Sequence, residues 1–280
     1  MIVIESAGIT DRGKKRQGNE DALFLEDSLG FYVVADGMGG HLAGEVASRL
    51  VVETIGDYIK SCQENADNEN PIYCDETLSK EANRLLTGIH LSNKVVHEAA
   101  RDNSSYRGMG STVSAVYFTD GTLIAANVGD SPIYLIRDGQ VKLLSVPHTV
   151  IAEQAALNPE NADRLGKEFR HVLTRAMGTD ESVQADIFEI QCFKNDTLVI
   201  SSDGLSDKAS PEEILTLVNG NGSDAACRRL VDLANERGGD DNITAIVLKV
   251  KTVKNIPMRL ERFMALVQRL FFRLFNKTKI

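Results

Sequence analysis

The sequence of 280 residues predicts an α+β domain in which antiparallel strands and helices occupy separate stretches of the chain. Two observations predict this class. One is a series of short β-branched and aromatic runs bounded by turn residues, and the other is a set of longer segments with apolar side chains at helical spacing. The content of 42% hydrophobic and 25% charged residues is typical of globular proteins and excludes disordered, collagen-like and coiled-coil classes.

The first third of the chain combines short apolar runs with two helical patterns. Strands are predicted at 2–4, 22–25 and 30–35. The segment Asp36-Gly-Met-Gly-Gly is expected to end the third strand. Helical spacing predicts a helix over 43–60, then a polar loop over 61–76, then a longer amphipathic helix marked by residues from Leu78 to Ala99.

The rest of the domain is predicted to be rich in strands. Asp120-Gly121 and Asp138-Gly139 lie between paired apolar runs and are expected to form hairpin turns. The more polar segment 146–182 is expected to be irregular, with short helical pieces. Strands are predicted at 112–118, 122–128, 132–136, 140–144, 183–190, 197–201 and 243–250, and helices near 211–218 and 223–237.

The charge of the chain is divided unevenly along its length. The net charge is −9 overall, but residues 252–280 carry seven Lys and Arg against one Glu, which gives +6 there and −15 before it. An acidic body argues against nucleic acid as a partner, because phosphate backbones require cations. The four scattered cysteines indicate neither a disulfide framework nor a zinc site, and neither a secretory leader nor a membrane-spanning run is expected.

Acidic residues recur where predicted strands begin or end. If these carboxylates converged, they would repel one another, and burying them would cost several kcal/mol each unless a cation neutralised them. Oxygen ligands favour Mg²⁺ or Mn²⁺ over zinc. The sequence therefore predicts a divalent-metal site, although an Asx turn or a helix cap remains the alternative at each position alone. The five positions are Glu20-Asp21, Asp36-Gly37, Gly129-Asp130, Asp203-Gly204 and Asp240-Asp241.

A series of motifs over about residues 5–250 resembles the bacterial form of the metal-dependent PPM-type, or type 2C, protein serine/threonine phosphatase family. The motifs are Arg16-Gln-Gly-Asn-Glu20-Asp21, Val34-Ala-Asp36-Gly37-Met-Gly-Gly-His41, Gly108-Met-Gly-Ser-Thr112, Ala126-Asn-Val-Gly-Asp130-Ser131, Arg175-Ala-Met-Gly178, Ser201-Ser-Asp203-Gly204-Leu-Ser-Asp207 and Gly239-Asp-Asp241-Asn242-Ile-Thr244. The resemblance implies a four-layer α-β-β-α sandwich, with two antiparallel sheets flanked by helices. It also implies a catalytic domain over residues 1–251.

The resemblance implies a role for each site residue. Asp36 is expected to bridge two Mn²⁺ or Mg²⁺ ions, one of which faces the Gly37 carbonyl, while Asp203 and Asp241 bind the other. Glu20 is expected beside the first ion, directly or through water, and Asp21 is expected to support the shell. Arg16 is expected to bind the substrate phosphate, because its planar fork suits a phosphoryl group. Asp130 and Asp203 are expected to contribute to a third, weaker metal site.

The implied activity is hydrolysis of phosphoserine and phosphothreonine in proteins by a metal-bridged hydroxide, which would reverse a serine/threonine kinase. Met38 stands where some relatives carry a histidine thought to protonate the leaving group, so the acid stays open, with metal-bound water as one candidate. Two alternatives are a catalytically silent relative that binds a phosphoprotein or another ligand, and a phosphatase of small metabolites. His148 and His171 are interpreted as ordinary solvated or hydrogen-bonded histidines.

The basic segment 252–280 is expected to be an addition to the family domain. Its apolar residues follow helical spacing, which predicts a basic amphipathic helix. Such a helix could pack on its own domain, or residues 256–275 could contact an anionic membrane or a partner such as the cognate kinase. The protein is otherwise expected to be a cytoplasmic monomer.

Overall fold

The computed structural model describes residues 2–39, 43–64, 73–158, 166, 169 and 171–253. The strands are β1 (Ile2–Asp11), β2 (Asp21–Glu26), β3 (Phe31–Met38), β4 (Gly110–Ser111), β5 (Val113–Thr119), β6 (Thr122–Val128), β7 (Ile133–Arg137), β8 (Gln140–Leu143), β9 (Asp186–Gln191), β10 (Thr197–Ser201) and β11 (Ile243–Val253). The α-helices are α1 (Ala43–Glu64), α2 (Lys80–Asp102), α3 (Val150–Leu157), α4 (Asp203–Ser206), α5 (Pro211–Val218) and α6 (Ser223–Glu236).

The strands form two antiparallel sheets. One has the order β1-β11-β10-β7-β8, and the other has the order β2-β3-β5-β6-β9, with β4 paired to β3. The predicted hairpin turns join β5 to β6 and β7 to β8. At the second turn, Asp138 and Gly139 both have positive φ, as a tight two-residue hairpin requires.

Three apolar layers hold the sheets and helices together. Alternate side chains of the two sheets meet in a central layer that contains Tyr32, Val34, Leu198 and Ile246. The other face of the β3–β5–β6 sheet packs against α1 and α2, and the other face of the β7–β10–β11 region packs against α5 and α6. The predicted α-β-β-α sandwich is therefore confirmed.

The third strand is longer than the sequence pattern predicts. The segment that begins at Asp36 does not end β3, which continues to Met38 because Gly37 and Met38 pair with the short strand β4. The Gly37 N–H also donates to the Glu20 carbonyl at 3.0 Å. Asp36 consequently lies within a hydrogen-bonded strand, which fixes its backbone more firmly than a turn would.

The first and the last described strands of the chain pair with each other. β11 pairs with β1 along its whole length, so that Ile2 lies opposite Val253 and Asp11 lies opposite Ile243. The last strand thus extends two residues beyond the predicted boundary at residue 251. The predicted amphipathic helix lies outside the described residues. Within the described ranges, no helix is both long enough and apolar enough to cross a bilayer.

A half-buried ion pair joins β7 to the turn before β10. Asp196 is 1% exposed, and its two carboxylate oxygens accept hydrogen bonds from Arg137 Nε and Nη2, both at 2.7 Å. Burial raises the pKa of Asp196 even though Arg137 opposes this shift. Because the Asp196 carboxylate is desolvated, the folded protein depends on Arg137 to offset its charge.

Arg137→Ala is expected to lower the free energy of unfolding by about 3 kcal/mol, because it leaves a buried carboxylate without a counter-ion. Urea denaturation followed by circular dichroism measures the change. Arg101→Ala is the matched control, since Arg101 pairs with Asp102 where both side chains are exposed, and its loss is expected to cost under about 1 kcal/mol. Equal effects of the two substitutions would contradict the prediction.

Candidate active site

The two sheets present their acidic residues at the same end of the sandwich. Asp21 begins β2 and lies directly opposite Asp36 of β3. Asp203 follows β10 and opens α4, and Asp241 lies two residues before the start of β11. We call the following five residues the carboxylate cluster: Asp21, Asp36, Asp130, Asp203 and Asp241.

The carboxylate cluster converges on Asp36. Burial raises the pKa of Asp36 well above its usual value, and the negative charges of the other four members raise it further. This mutual influence places all five carboxyl groups in one electrostatic neighbourhood. Without a cation among them, ionising the whole cluster is unfavourable.

Asp21 has one satisfied and one unsatisfied oxygen. Its Oδ2 accepts hydrogen bonds from the hydroxyls of Ser202 at 2.7 Å and Thr244 at 2.6 Å. Its buried Oδ1 has no hydrogen-bond partner among the described residues. Burial raises the pKa of Asp21 to about 7, against the opposing effect of the two hydroxyls. A buried acceptor of this kind indicates a missing donor or cation.

Asp130 extends the carboxylate cluster toward α4. It follows β6, and burial raises its pKa to about 7, with the charge of Asp203 as the next contribution. The turn that carries it is fixed by His148. The Gly129 N–H donates to His148 Nδ1 at 3.1 Å, and the His148 N–H donates to the Gly129 carbonyl at 2.9 Å. His148, expected to be an ordinary histidine, thus positions the turn beside the cluster.

Gly37 lies where the backbone leaves no room for a side chain. A Cβ atom at this position would overlap the carbonyl oxygens of Gly44, in α1, and Glu20. The close packing brings the β3 end, the α1 start and the Glu20 segment together. Burial is the main cause that raises the pKa of Glu20, and Arg16 opposes it. Glu20 therefore borders the carboxylate cluster, and its predicted place beside a metal ion stays a prediction.

Arg16 supplies a cation at the edge of the carboxylate cluster. Its Nη2 donates to Asp241 Oδ2 at 2.7 Å, and its Nη1 lies 4.0 Å from Glu20 Oε2. The hydrogen bond to Asp241 is the main cause that raises the pKa of the Arg16 guanidinium above its usual value. Its side chain remains 49% exposed, which leaves the guanidinium open to an anion from solvent.

Asn242 holds the Arg16 segment in place, a role that the sequence motif did not reveal. Its Nδ2 donates to the carbonyls of Arg12 and Gly18, both at 2.9 Å. Its Oδ1 accepts from the Glu20 N–H at 2.8 Å. One nearly buried side chain therefore ties the segment that carries Arg16 and Glu20 to the start of β11.

His171 is the second residue whose place the sequence did not reveal. Its Nδ1 lies 3.3 Å from Asp203 Oδ2, and its Nε2 lies 3.4 Å from Asp207 Oδ2. The contact with Asp203 is the main cause that raises its pKa to about 9. Its position depends on which residues distant in the sequence lie beside α4, which periodicity does not predict.

The described residues fit a divalent cation. The donors are carboxylates, which are the hard oxygen ligands that Mg²⁺ and Mn²⁺ prefer. The unpartnered Asp21 oxygen and the raised carboxyl pKa values both indicate a site that lacks positive charge. Such a site can hold metal ions beside the half-exposed guanidinium of Arg16.

Comparison with known proteins yields both a family match and close structural likenesses. The sequence model of the protein phosphatase 2C family matches residues 10–248. The protein phosphatase PhpP of Streptococcus pneumoniae serotype 2 is 31% identical over 254 residues, which span 88% of this chain and 98% of that protein. The serine/threonine phosphatase stp of Listeria welshimeri is 30% identical over 245 residues, or 86% of this chain and 93% of its own.

A solved structure resembles the chain equally well. It is the catalytic domain of the serine/threonine protein phosphatase PstP in complex with two manganese ions. The two are 28% identical, with a TM-score of 0.74, and the match covers 90% of this chain and all of that one.

Proposed function

The chain belongs to the protein phosphatase 2C family and is a metal-dependent protein serine/threonine phosphatase, and on this premise we propose that the carboxylate cluster is its active site. The convergence of four carboxylates on Asp36 is the observation that carries this proposal. The proposed substrates are phosphoserine and phosphothreonine residues of proteins phosphorylated by a cognate kinase.

Two overlapping sets of residues would bind the two metal ions, with Asp36 belonging to both sets. Asp36 and the Gly37 carbonyl would hold one ion with Glu20, and Asp36 would hold the other with Asp203 and Asp241. When bound, Mn²⁺ or Mg²⁺ supplies Lewis acidity that lowers the pKa of water and offsets charge on the phosphoryl oxygens. Asp21 supports these ligands, because Ser202 and Thr244 fix its carboxylate beside Asp36.

Arg16 binds and orients the phosphoryl group. Its contact with Asp241 places the guanidinium at the edge of the carboxylate cluster, and Asn242 holds the backbone of its segment. A planar fork with several N–H donors can bind two phosphoryl oxygens at once. Because these donors are positioned before substrate arrives, they stabilise charge without reorganisation.

The proposed function is tested by Mn²⁺-dependent release of phosphate from a phosphoserine or phosphothreonine peptide, compared with a small aryl phosphate and a panel of phosphorylated metabolites. Hydrolysis of the peptides and the aryl phosphate, but not of the metabolites, is the expected result. Metal binding without turnover on any substrate would instead identify a silent relative. A strong preference for one metabolite would identify the small-molecule alternative.

Arg16→Ala is expected to raise KM and lower kcat for a phosphopeptide, reducing kcat/KM by roughly 10- to 100-fold, the value of a hydrogen bond to a charged group. Arg16→Lys keeps the charge but loses the planar fork, so it should recover only part of the loss. The inhibition constant of inorganic phosphate reports the binding contribution directly. An unchanged constant in Arg16→Ala would contradict the assigned role.

The basic C-terminal segment 252–280 is proposed to hold the catalytic domain, residues 1–251, at an anionic membrane surface or a partner protein. Truncation after Val253 keeps β11 complete. The truncated protein is expected to keep its melting temperature and its aryl-phosphate activity, but to lose co-sedimentation with vesicles that contain anionic lipid, or binding to the kinase. A large fall in melting temperature would show instead that the segment packs on its own domain.

A further inference from the structure

A second group of metal-type donors adjoins the proposed two-metal site. One donor atom each from Asp130, His171 and Asp203 lies within 4.8 Å of the other two. The group combines two carboxylates with one imidazole. It therefore differs from the carboxylate cluster in containing nitrogen.

We propose that His171 Nδ1 is a direct ligand of a third divalent ion, bound together with Asp130 and Asp203, and that this nitrogen makes the third site prefer Mn²⁺ to Mg²⁺. The inference rests on the proposed function, because Asp203 is shared with the two-metal site. It adds a residue from the segment 146–182 to the metal-binding machinery.

The spacing of the donor atoms suits one ion. His171 Nδ1 lies 3.3 Å from Asp203 Oδ2. Adjacent ligands around an octahedral ion with bonds of about 2.1 Å are about 3 Å apart. A small closing movement would therefore bring the imidazole nitrogen and the carboxylate oxygen onto one ion.

The other side of the imidazole is arranged as in established metal sites. His171 Nε2 lies 3.4 Å from Asp207 Oδ2. A metal-binding histidine commonly donates its second ring N–H to a carboxylate, which fixes the tautomer and the ring orientation. Asp207 would thus hold the proton on Nε2, and the ion would replace the proton that Nδ1 otherwise directs at Asp203.

The nitrogen ligand determines which ion is preferred. Mg²⁺ takes oxygen ligands and keeps much of its water, whereas imidazole suits transition-metal ions. A site built from Asp130 and Asp203 alone would discriminate less between the two ions. The ratio of Mn²⁺ to Mg²⁺ affinity at the third site is therefore the quantity that His171 sets.

The experiment uses the full chain with Mn²⁺ or Mg²⁺ alone, and the variants His171→Asn, Asp207→Asn and, as a matched control, His90→Asn, since His90 lies in α2 and stacks on Tyr73. Calorimetry is expected to show three Mn²⁺ ions in the wild type. His171→Asn should weaken the third ion roughly 10- to 100-fold and leave the first two unchanged, with a smaller loss in Asp207→Asn. His171→Asn should weaken the binding of Mg²⁺ at the third site less than it weakens the binding of Mn²⁺.

Electron spin-echo spectroscopy of bound Mn²⁺ provides a direct readout that does not depend on activity. Coupling to an imidazole nitrogen is expected in the wild type and in His90→Asn, and should vanish in His171→Asn. Either of two results would overturn this inference but leave the proposed function standing: only two bound ions without nitrogen coupling, or a third ion whose affinity is unchanged by His171→Asn. Failure of the wild type to bind any ion would overturn both.

Discussion

Asp36→Asn is expected to abolish phosphatase activity while making the metal-free protein more stable. The substitution removes the carboxylate proposed to contact both ions, which should reduce kcat/KM by about a thousandfold or more, or ~4 kcal/mol of transition-state stabilisation. It also removes a carboxyl group whose pKa is raised, first by burial and then by the charges of its four neighbours, so that keeping it in the metal-free fold is unfavourable. Loss of activity and gain of stability should therefore occur in the same variant.

Two measurements separate this result from simple unfolding. Mn²⁺-dependent hydrolysis of an aryl phosphate gives the activity, and thermal unfolding of the metal-free protein gives the stability. Asp120→Asn is the matched control, because Asp120 is exposed in the hairpin turn between β5 and β6, and neither quantity should change. Near-wild-type activity of Asp36→Asn at saturating Mn²⁺ would disprove the site assignment, and a lower melting temperature would disprove the repulsion argument.

Without bound metal, the stability of the folded protein is expected to decrease as the pH rises toward neutrality. Burial raises the pKa values of Asp21 and Asp130 to about 7, from 3.8 in the unfolded chain. Between these values the folded protein binds more protons than the unfolded chain, so its free energy of unfolding falls as the pH rises toward 7. At roughly 1.4 kcal/mol for each pKa unit, the loss amounts to several kcal/mol.

Bound metal should cancel this loss. Ions bind the folded state with its carboxylates ionised, and an ion at a thousand times its Kd contributes about 4 kcal/mol. Urea unfolding between pH 5 and 7.5, with metal-stripped and Mn²⁺-loaded protein, measures both slopes. Glu5 and Asp240, whose pKa values are lowered to about 2, stabilise the fold across this window and lose that effect only at lower pH. A metal-free stability that rises with pH would contradict the prediction.

Local patterns predicted most strands and helices, because each depends on a few neighbouring residues. Which strands pair with each other depends instead on residues far apart in the sequence. The partner of β1 is β11, at the opposite end of the described chain, and no periodicity specifies such a contact. Only the family resemblance implied the sandwich. The predicted end of β3 was wrong for a related reason, since the last residues of β3 pair with β4, which is distant in the sequence.

The candidate site shows the same division between local and long-range information. Asp36, Asp203 and Asp241 could be named from motifs, since each belongs to a short run next to a strand. Asn242 and His171 could not be given roles, because what they do depends on which segments lie against them. Asn242 binds a loop from the other end of the described chain, and His171 reaches across to the start and end of α4.

The pairing of β1 with β11 also separates the start of the C-terminal segment from the carboxylate cluster. Asp241 lies two residues before one end of β11, and Val253 is at the other end, opposite Ile2. At about 3.3 Å per residue, the strand separates these points by roughly 30 Å. Whatever the C-terminal segment binds would hold the domain by the end remote from its catalytic residues. The strand would then act as a fixed spacer, favouring phosphorylated residues that project well away from the anchoring surface over those lying close against it.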